Sequence, residues 1–174
     1  MSAQPVAGVT RVIGEMVKGK TELDVALANM VAGAIAKNFK VKLEEVAILR
    51  LGGKGKQLEF IVPEKLARVG TIPMTSTNAL AVRTARDRRG EFINNFSAAA
   101  HPTVFEAVKL TKEGDDPIQK IISVPIVTEA KAVGVIQISR KGKTTGAAGP
   151  DFTAKDMEEL NQVASALAPC IQPS

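Results

Sequence analysis

The sequence contains no tryptophan, no tyrosine and only six phenylalanines. Proteins that bind single-stranded nucleic acid commonly stack the bases on aromatic side chains, so this shortage argues against that class of partner. Lysine and arginine outnumber aspartate and glutamate by 23 to 18, with basic clusters at residues 83–89 and 140–143. No helix-turn-helix pattern accompanies these clusters. We interpret them as solvated basic surface, and nucleic acid is not an expected partner.

Cysteine and histidine are each present once, as Cys170 and His101. These counts exclude an internal disulfide, a cysteine zinc site, a two-histidine metal site and any mechanism that needs two thiols. The sequence also offers no paired-carboxylate motif and no activated nucleophile. It therefore predicts a protein that is not an enzyme and that holds no metal and no cofactor, although an unknown small-molecule ligand is compatible with it.

Long hydrophobic runs are missing as well. The longest apolar stretches are residues 23–36, which Asp24 and Asn29 interrupt, and residues 121–127, which are too short to span a bilayer. The N-terminus lacks the basic start and continuous apolar core of a secretory signal. Together with the single cysteine, this pattern predicts a cytoplasmic protein without a membrane partner.

What the sequence does contain is an ordinary globular composition, with 45% hydrophobic and 24% charged residues in 174. This length predicts one domain, which we assign to residues 21–170. Residues 1–20 are predicted to form a tail or a short helix, and residues 171–174 a C-terminal tail. The short helix would end at Gly19 and place four apolar residues on one face, namely Val9, Val12, Ile13 and Met16.

Two capping boxes predict the longer helices. The first, from Thr21 to Asp24, predicts a helix from about residue 22 to 39. Its predicted apolar stripe consists of Leu23, Leu27, Met30, Ala34 and Ile35. The second box, from Thr153 to Asp156, predicts a final helix whose seam consists of Met157, Leu160, Ala164 and Leu167. Two shorter helices are predicted, one capped by Ser76, Thr77 or Asn78 and running to about Arg88 before Gly90, the other at residues 101–110.

β-Branched runs predict the strands. Residues 45–63 form two such runs around a glycine and lysine linker, the pattern of a hairpin, and Pro63 closes the second strand. A short strand is predicted at residues 91–94. The strongest signals are residues 119–129 and 132–141, which are apolar on both faces and flank a tight turn. Such strands need helices above and below, so we expect an α+β sandwich around an antiparallel sheet.

The segment 140–153 contains GKTTG, which looks like the end of a phosphate-binding loop. A Walker A motif needs a glycine five positions before Gly142, where this chain has Gln137. The glycines and the proline that follow would also break a helix. We therefore interpret the segment as an exposed crossing from the last strand to the last helix.

The order of these segments resembles the closing part of a GAF domain. In that family two hairpin strands, patterned apolar-Pro-apolar and then Gly-Val-Ile, lead through a variable loop to Phe-Thr-x-x-Asp and a long helix. Here the matching segments are SVPIV (123–127), VGVIQIS (133–139) and FTAKDMEELNQVASALA (152–168). Residues 79–95 are similar to the family's pocket helix and following strand, and Pro102 falls where a proline often stands. The resemblance extends from Thr21 to Pro169.

This resemblance implies a GAF/PAS-like α+β fold. A central six-stranded antiparallel sheet would carry the first and last helices on one face and short pocket helices on the other. The implied ligand-binding residues are Phe60, Leu80, Arg83, Phe92, Asn94, Asn95, His101, Phe105, Val108 and Val124. Several of these have alternative readings from the residues alone: Asn94 and Asn95 as turn residues, His101 as a loop residue, and Arg83 with Arg86 as solvated surface rather than an anion site.

Three activities found in the family do not match this chain. Cyclic-nucleotide binders carry Asn-Lys and Phe-x-x-x-Asp-Glu, whereas this chain has Ser139-Arg140 and Phe152-x-x-x-Asp156-Met157. The remaining pair predicts a structural tie in which Arg140 reaches Asp156, although the capping box competes for that carboxylate. Cys170 lies far in sequence from the pocket segments, which counts against methionine sulfoxide reduction and bilin attachment.

Two functions remain open. The first is a non-catalytic regulatory or sensory module that binds a small molecule in the pocket and signals through a helix-mediated homodimer, with a further protein as partner. The alternative is a scaffold or interaction dimer whose pocket is filled by its own side chains. Both predict a homodimer, whose helices would meet through Leu23, Leu27, Met30, Met157, Leu160, Ala164 and Leu167.

Overall fold

A computed structural model describes residues 8–68, 70–96, 117–129 and 131–171. The described α-helices are α1 (Gly8–Val17), α2 (Val25–Phe39), α3 (Glu64–Ala67), α4 (Leu80–Asp87) and α5 (Ala154–Leu167). The strands are β1 (Val46–Gly52), β2 (Gln57–Val62), β3 (Thr71–Pro73), β4 (Glu91–Ile93), β5 (Ile118–Thr128) and β6 (Lys131–Lys141). Short 3-10 helices occupy Leu43–Glu45 and Ala168–Cys170. Among the described helices none is long and apolar enough to cross a membrane.

The six strands form one sheet in the order β3-β2-β1-β6-β5-β4, and every neighbouring pair is antiparallel. The predicted hairpins are confirmed as β1–β2 and β5–β6. Because β1 lies beside β6, the last hairpin occupies the middle of the sheet, with β1 on one side and β4 on the other. This central position explains why β5 and β6 are buried along most of their length.

Helices cover both faces of the sheet, as predicted. On one face, α1, α2 and α5 bury residues such as Ile13, Ile35 and Leu160 in the largest apolar core. On the other face, α3 and α4 contribute Leu66 and Val82 to a second core with β1, β2 and β3. We call these the helical-layer face and the α4 face. The α+β fold with the first and last helices on one face is therefore confirmed.

α2 begins later than predicted and buries a different stripe. Asp24 itself is the N-cap, and its carboxylate accepts a hydrogen bond from the Leu27 backbone N–H at 2.8 Å, so no capping box forms with Thr21. The buried stripe consists of Ala28, Val31, Ala32, Ile35, Ala36 and Phe39. Met30 lies on the outer side with 57% of its surface exposed. Of the predicted stripe only Ile35 is buried on α2, because alanines at positions 28, 32 and 36 take core positions that the prediction gave to larger side chains.

Of the other two predicted helix starts, one is confirmed and one is wrong. α5 starts at the predicted capping box, in which Thr153 and Asp156 exchange side-chain and backbone hydrogen bonds. α4 does not start at a predicted cap, since its N-cap is Ala79 without a side-chain hydrogen bond, but it ends where predicted, at Asp87 with a left-handed Arg88 as its C-cap. The N-terminal segment does form a helix, α1, which packs against α5 and α2. Val9, Ile13 and Val17 of α1 are buried there, whereas Val12 is 51% exposed.

Most of the side chains predicted for a dimer interface lie inside this single chain. Leu160 and Leu167 are fully buried, and Ala164 and Leu23 are nearly so. Leu27 and Met157 are half-buried against the same core. The prediction that these seven side chains meet across a two-fold axis was wrong, because the helical seam is used to cover the sheet. Only Met30 of the set is well exposed.

Candidate ligand-binding site

A buried polar cluster lies at the centre of the α4 face. It consists of Thr84 on α4, Ser123 on β5 and Gln137 on β6, which are 1%, 0% and 2% exposed. Ser123 and Gln137 are directly paired across the β5–β6 ladder, so their side chains leave the same face of the sheet. Their neighbours on β5 and β6 at the next position, Val124 and Ile136, point into the helical-layer core. The α4 face is therefore locally polar where the opposite face is apolar.

The three side chains are joined by hydrogen bonds. The hydroxyl oxygens of Thr84 and Ser123 are 2.7 Å apart, and the amide of Gln137 donates to the Ser123 oxygen at 3.1 Å. The Thr84 hydroxyl also donates to the carbonyl of Leu80 one helical turn earlier, at 2.9 Å. This last bond ties the cluster to the start of α4, so a movement of the helix would be transmitted to the sheet centre.

One polar atom of the cluster has no partner among the described residues. The side-chain oxygen of Gln137 is buried and makes no hydrogen bond in the part of the chain that the structure describes. Leaving such an acceptor unsatisfied costs about 1 to 3 kcal/mol, which is why most buried polar atoms in folded proteins are paired. An orphaned acceptor in a polar cluster is a place where a small molecule with a donor group can bind.

A salt bridge borders the cluster. Glu91 on β4 is the ladder partner of Ser123, and its carboxylate accepts hydrogen bonds from the guanidinium of Arg83 on α4. Both side chains are about one-third exposed, at 40% for Arg83 and 32% for Glu91. The pair links α4 to the edge strand. Arg83 thus lies on the predicted face, with its charge already matched by Glu91.

The predicted pocket residues divide between the two faces. Phe60 and Leu80 are buried in the α4-face cores, with Arg83 beside them. Phe92 and Val124 pack instead in the helical-layer core, so their assignment to the pocket was wrong. The reason is strand parity: side chains alternate between faces, and Phe92 and Val124 share the side of the sheet that faces away from α4.

Asn94 and Asn95 are also absent from the α4 face. Asn94 holds the backbone of Phe152 with two hydrogen bonds, donating to its carbonyl at 2.9 Å and accepting from its N–H at 2.8 Å. It therefore imitates a strand partner and anchors the start of α5, while Asn95 is exposed. The remaining predicted residues, His101, Phe105 and Val108, lie outside the described residues, as does the predicted helix at 101–110.

The predicted contact between Arg140 and Asp156 is replaced by a different one. Arg140 donates to the carbonyl of Pro150 at 2.6 Å and to that of Phe39 at 2.8 Å, and it stacks over the ring of Phe152 at 4.2 Å. Asp156 is occupied by its capping box. Burial lowers the pKa of Arg140, and the more distant carboxylates of Asp156 and Glu45 oppose that shift. The tie between strand and helix exists, but it uses backbone carbonyls.

Lys120 makes a second anchor for the same crossing loop. It is the ladder partner of Arg140 and is 4% exposed. Its ammonium donates to the carbonyl of Gly149 at 2.6 Å and pairs with Asp151 at 2.8 Å. The central residues 143–147 of the loop are exposed, as expected for a crossing rather than a phosphate cradle.

Two surface pockets are found away from the polar cluster. One of about 350 Å³ is lined by residues that include Thr21, Arg50 and Cys170, and one of about 300 Å³ by residues that include Lys40, Arg140 and Glu159. Cys170 is buried in the helical-layer core and donates to the Leu167 carbonyl at 3.2 Å. Burial raises the pKa of its thiol. Among the described residues neither pocket contains a buried polar atom without a partner, so we favour the polar cluster as the ligand site.

Comparison with known families identifies the fold. Residues 29–172 match the sequence model of the GAF domain, which covers most of the chain. The chain belongs to the GAF domain family. No curated protein is significantly similar to it in sequence. Within the described residues of this GAF domain, no group of three or more histidine, cysteine, aspartate or glutamate side chains is placed to hold a metal ion.

Solved structures of GAF domains superpose well on this one. The GAF domain of an Acinetobacter phosphoenolpyruvate-protein phosphotransferase gives a TM-score of 0.66 at 16% identity, covering 92% of this chain and 88% of that one. The free methionine-R-sulfoxide reductase of Neisseria meningitidis, solved with its substrate, gives 0.66 at 17% identity, covering 97% and 91%. The A. aeolicus nlh2 GAF domain, in an inactive state, gives 0.63 at 14%, covering 92% and 91%. These likenesses establish the shared fold.

The polar cluster was missed by the sequence reasoning, although a signal was present. Ser123 and Gln137 are polar residues inside two runs that are otherwise rich in isoleucine and valine. A polar residue inside a buried strand needs a partner, and two such residues in paired strands share a face when their register is right. Thr84 carried no comparable signal, because a threonine in a short helix is unremarkable until α4 is placed over the sheet.

Proposed function

We propose that this GAF domain is a non-catalytic sensory module that binds a small molecule on the α4 face, at the cluster of Thr84, Ser123 and Gln137. Binding there would change how α4 sits on the sheet, because Thr84 belongs to both the helix and the cluster. The change would reach a partner through a homodimer of the helical layer. The observation that carries the proposal is the unsatisfied, buried oxygen of Gln137.

The absence of catalysis is part of the proposal. The cluster consists of two hydroxyls and one amide, none of which titrates near neutral pH, and its nearest charged pair, Arg83 and Glu91, is mutually neutralised. Cys170, the single cysteine, packs in the core on the opposite side of the sheet. A thiol whose pKa is raised by burial is a poor nucleophile. Among the described residues these features favour binding over chemistry.

One observation favours the scaffold alternative. Thr84, Ser123 and Gln137 are almost completely buried by the protein itself, as are Phe60 and Leu80 on the same face. A site so covered by its own side chains opens only if α4 or its surroundings move. In the scaffold alternative the cluster is a structural element, and the domain acts only by dimerising.

Native mass spectrometry decides between the two functions. The chain is purified gently from its own host, and its native mass is compared with its denatured mass. The sensor predicts an additional small molecule in the native species, released on denaturation. The control is the same preparation of the Thr84→Arg variant, whose large charged side chain would occupy the cluster; the additional mass should be lost. A bare chain in both states, with a solvent-free cluster in a crystal, would support the scaffold instead.

The homodimer is proposed to use the outer side of α1 and α2, not the buried seam. Val12 on α1 and Met30 on α2 are large apolar side chains that are more than half exposed, at 51% and 57%. The two helices pack against each other, which brings their outer sides into one layer. Isolated exposed apolar residues are common, but on adjacent helices they suit a symmetric helix-to-helix contact.

A further inference from the structure

The direction of each hydrogen bond in the polar cluster is fixed by counting protons. A carbonyl oxygen can only accept, so the single proton of the Thr84 hydroxyl points to the Leu80 carbonyl at 2.9 Å. Thr84 therefore accepts from Ser123 across their 2.7 Å contact. The hydroxyl proton of Ser123 is then used in the bond to Thr84, so Ser123 can only accept a hydrogen bond from the Gln137 amide nitrogen at 3.1 Å.

This count orients the amide of Gln137. The two ends of a glutamine amide are nearly identical in shape, and only the hydrogen-bond network tells them apart. Here the nitrogen must face Ser123, so the oxygen must face away from it. The unpartnered oxygen is thus a consequence of the chain of bonds that starts at Leu80 on α4, and a flipped amide would place its oxygen against a hydroxyl with no proton left to give.

A ligand at this atom has to supply a proton. A carboxylate, or a carbonyl without an N–H, would set its lone pairs against the Gln137 oxygen. Among the described residues a cationic donor would have no free counter-charge beside it, since Glu91 on this face is already paired with Arg83. A neutral N–H or O–H group meets neither penalty.

Resting on the proposed function, we infer that the site selects an uncharged ligand bearing an amide-type N–H or a hydroxyl, which it donates to the side-chain oxygen of Gln137. Amides, lactams, imides and nucleobase-like rings belong to this class. Thr84 acts as a positioning residue: it touches Ser123 and not Gln137, yet it sets which end of the amide faces the ligand.

Two isomeric probes test this selection. 5-Methyl-2-pyrrolidinone and N-methyl-2-pyrrolidinone have the same atoms, but only the first has an N–H. The second pair, 5,6-dimethyluracil and 1,3-dimethyluracil, differs in the same way. Binding of each to the full chain is measured by titration in ¹⁵N-resolved NMR, with chemical-shift changes expected at Thr84 and Ser123. We expect the N–H isomer of at least one pair to bind about tenfold more tightly, the size expected for one buried hydrogen bond.

Three variants test whether the isomer preference depends on the side-chain amide of Gln137. In Gln137→Met, the isomer preference should disappear. In Thr84→Val, of nearly the same shape, the Ser123 proton is released to the Gln137 oxygen, the amide turns over, and the preference should vanish or reverse. Gln162→Met on α5 is the control, because Gln162 lies on the other side of the sheet, and it should keep the preference. Melting temperatures confirm that each variant is folded.

Each result has one meaning. Equal binding of the isomers to the wild-type chain, a preference that survives in Gln137→Met, or one that is unchanged in Thr84→Val overturns the inference and leaves the sensor intact. A buried water as the partner of the Gln137 oxygen in a ligand-bound crystal also overturns it. If no probe binds and no molecule copurifies, the inference falls together with the proposed function.

Discussion

Gln137 shows that a buried polar side chain need not stabilise the fold when one of its two polar atoms lacks a hydrogen bond. Its amide is buried, but within the described part of the chain only its nitrogen has a hydrogen-bond partner, so the amide adds little to the free energy of unfolding. The residue is kept in an apolar strand at a cost, which is typical of positions where function and stability compete.

Two substitutions of Gln137 should therefore change the free energy of unfolding by very different amounts. Gln137→Met removes the orphaned acceptor and should change the free energy of unfolding by less than about 1 kcal/mol. Gln137→Glu buries a carboxylate and should cost about 2 kcal/mol or more at pH 7. Urea unfolding measures both, with Gln162→Glu, half-buried on α5, as the matched control.

The effect of Gln137→Glu should depend on pH in a defined direction. Burial would raise the carboxyl pKa in the folded state above its unfolded value of about 4.3. The variant should therefore recover stability relative to the wild type below about pH 4.3 and lose it progressively as the pH rises. A cost that stays the same from pH 4 to pH 8 would contradict the burial of that carboxyl group.

Cys170 provides a second pH-dependent residue, already present in the native chain. Burial raises the pKa of its thiol in the folded state, whereas the unfolded thiol ionises near pH 8.5. Its contribution to stability is complete below about pH 8.5 and is lost as the pH rises through the folded pKa. The stability difference between wild type and Cys170→Ala should thus shrink between pH 8 and pH 10. Urea unfolding at both values checks this, and a constant difference is the contrary outcome.

At the scale of elements, the crossing loop between β6 and α5 is held by buried cations. Arg140 and Lys120 face each other on neighbouring strands and bind four consecutive loop positions, 149 to 152, through carbonyls, one carboxylate and one ring. Arg140 adds the C-terminal end of α2 through Phe39. One guanidinium therefore joins the end of β6, the crossing loop and the end of α2.

Arg140 and Asp156 should be only weakly coupled, through the attraction by which Asp156 partly offsets the lowered pKa of Arg140. Arg140→Met loses two charge-assisted hydrogen bonds and a cation–ring contact and should cost about 2 to 4 kcal/mol. Asp156→Ala loses a capping interaction worth about 1 kcal/mol. Because the two side chains do not form a direct bond, a double-mutant cycle should give a coupling of no more than about 0.5 kcal/mol. Lys143→Met, exposed in the same loop, is the control.

A large Arg140–Asp156 coupling, above about 1 kcal/mol, would contradict this expectation and would support the direct ion pair that the sequence motif first suggested. The motif was informative about which elements are joined and misleading about the atoms that join them. Two interactions compete for the Asp156 carboxylate: the capping box with Thr153, three residues away in sequence, and the ion pair with Arg140 across the loop. The capping box costs less chain entropy to form.

At the scale of the whole molecule, the two faces of the sheet differ in the side chains they bury. The helical layer buries the largest core, and the α4 face carries the polar cluster. A ligand at the cluster and a second copy on the outer helices would lie on opposite sides of β5 and β6. Coupling between them requires the sheet or α4 to transmit the change.

The proposed dimer can be tested through its exposed side chains. We expect the wild-type chain to be dimeric by light scattering after size-exclusion chromatography, and Met30→Lys to weaken dimerisation at least tenfold, because the new charge would be buried in the contact. Leu43→Lys is the matched control, since Leu43 is 53% exposed outside α1 and α2. A monomeric wild type, or equal effects of both variants, contradicts the proposed surface.

The sequence alone determined the elements and much of their arrangement. β-Branched runs and Pro63 marked the two hairpins, the Thr153–Asp156 box marked the start of α5, and strands apolar on both faces required two helical layers. These features depend on local chemistry and on periodicity, which neighbouring residues in the chain specify. The same local logic assigned the wrong stripe to α2 and the wrong face to Phe92 and Val124, because neither close packing nor strand register is visible in one segment.

Only the tertiary structure decided the site. Thr84, Ser123 and Gln137 come from three elements, and their cluster exists because the β5–β6 register pairs Ser123 with Gln137 under α4. The missing partner of the Gln137 oxygen follows from a chain of bonds that begins at a helix carbonyl. Residue types are written in the sequence, but the direction of a hydrogen bond depends on which donors and acceptors the fold brings within reach.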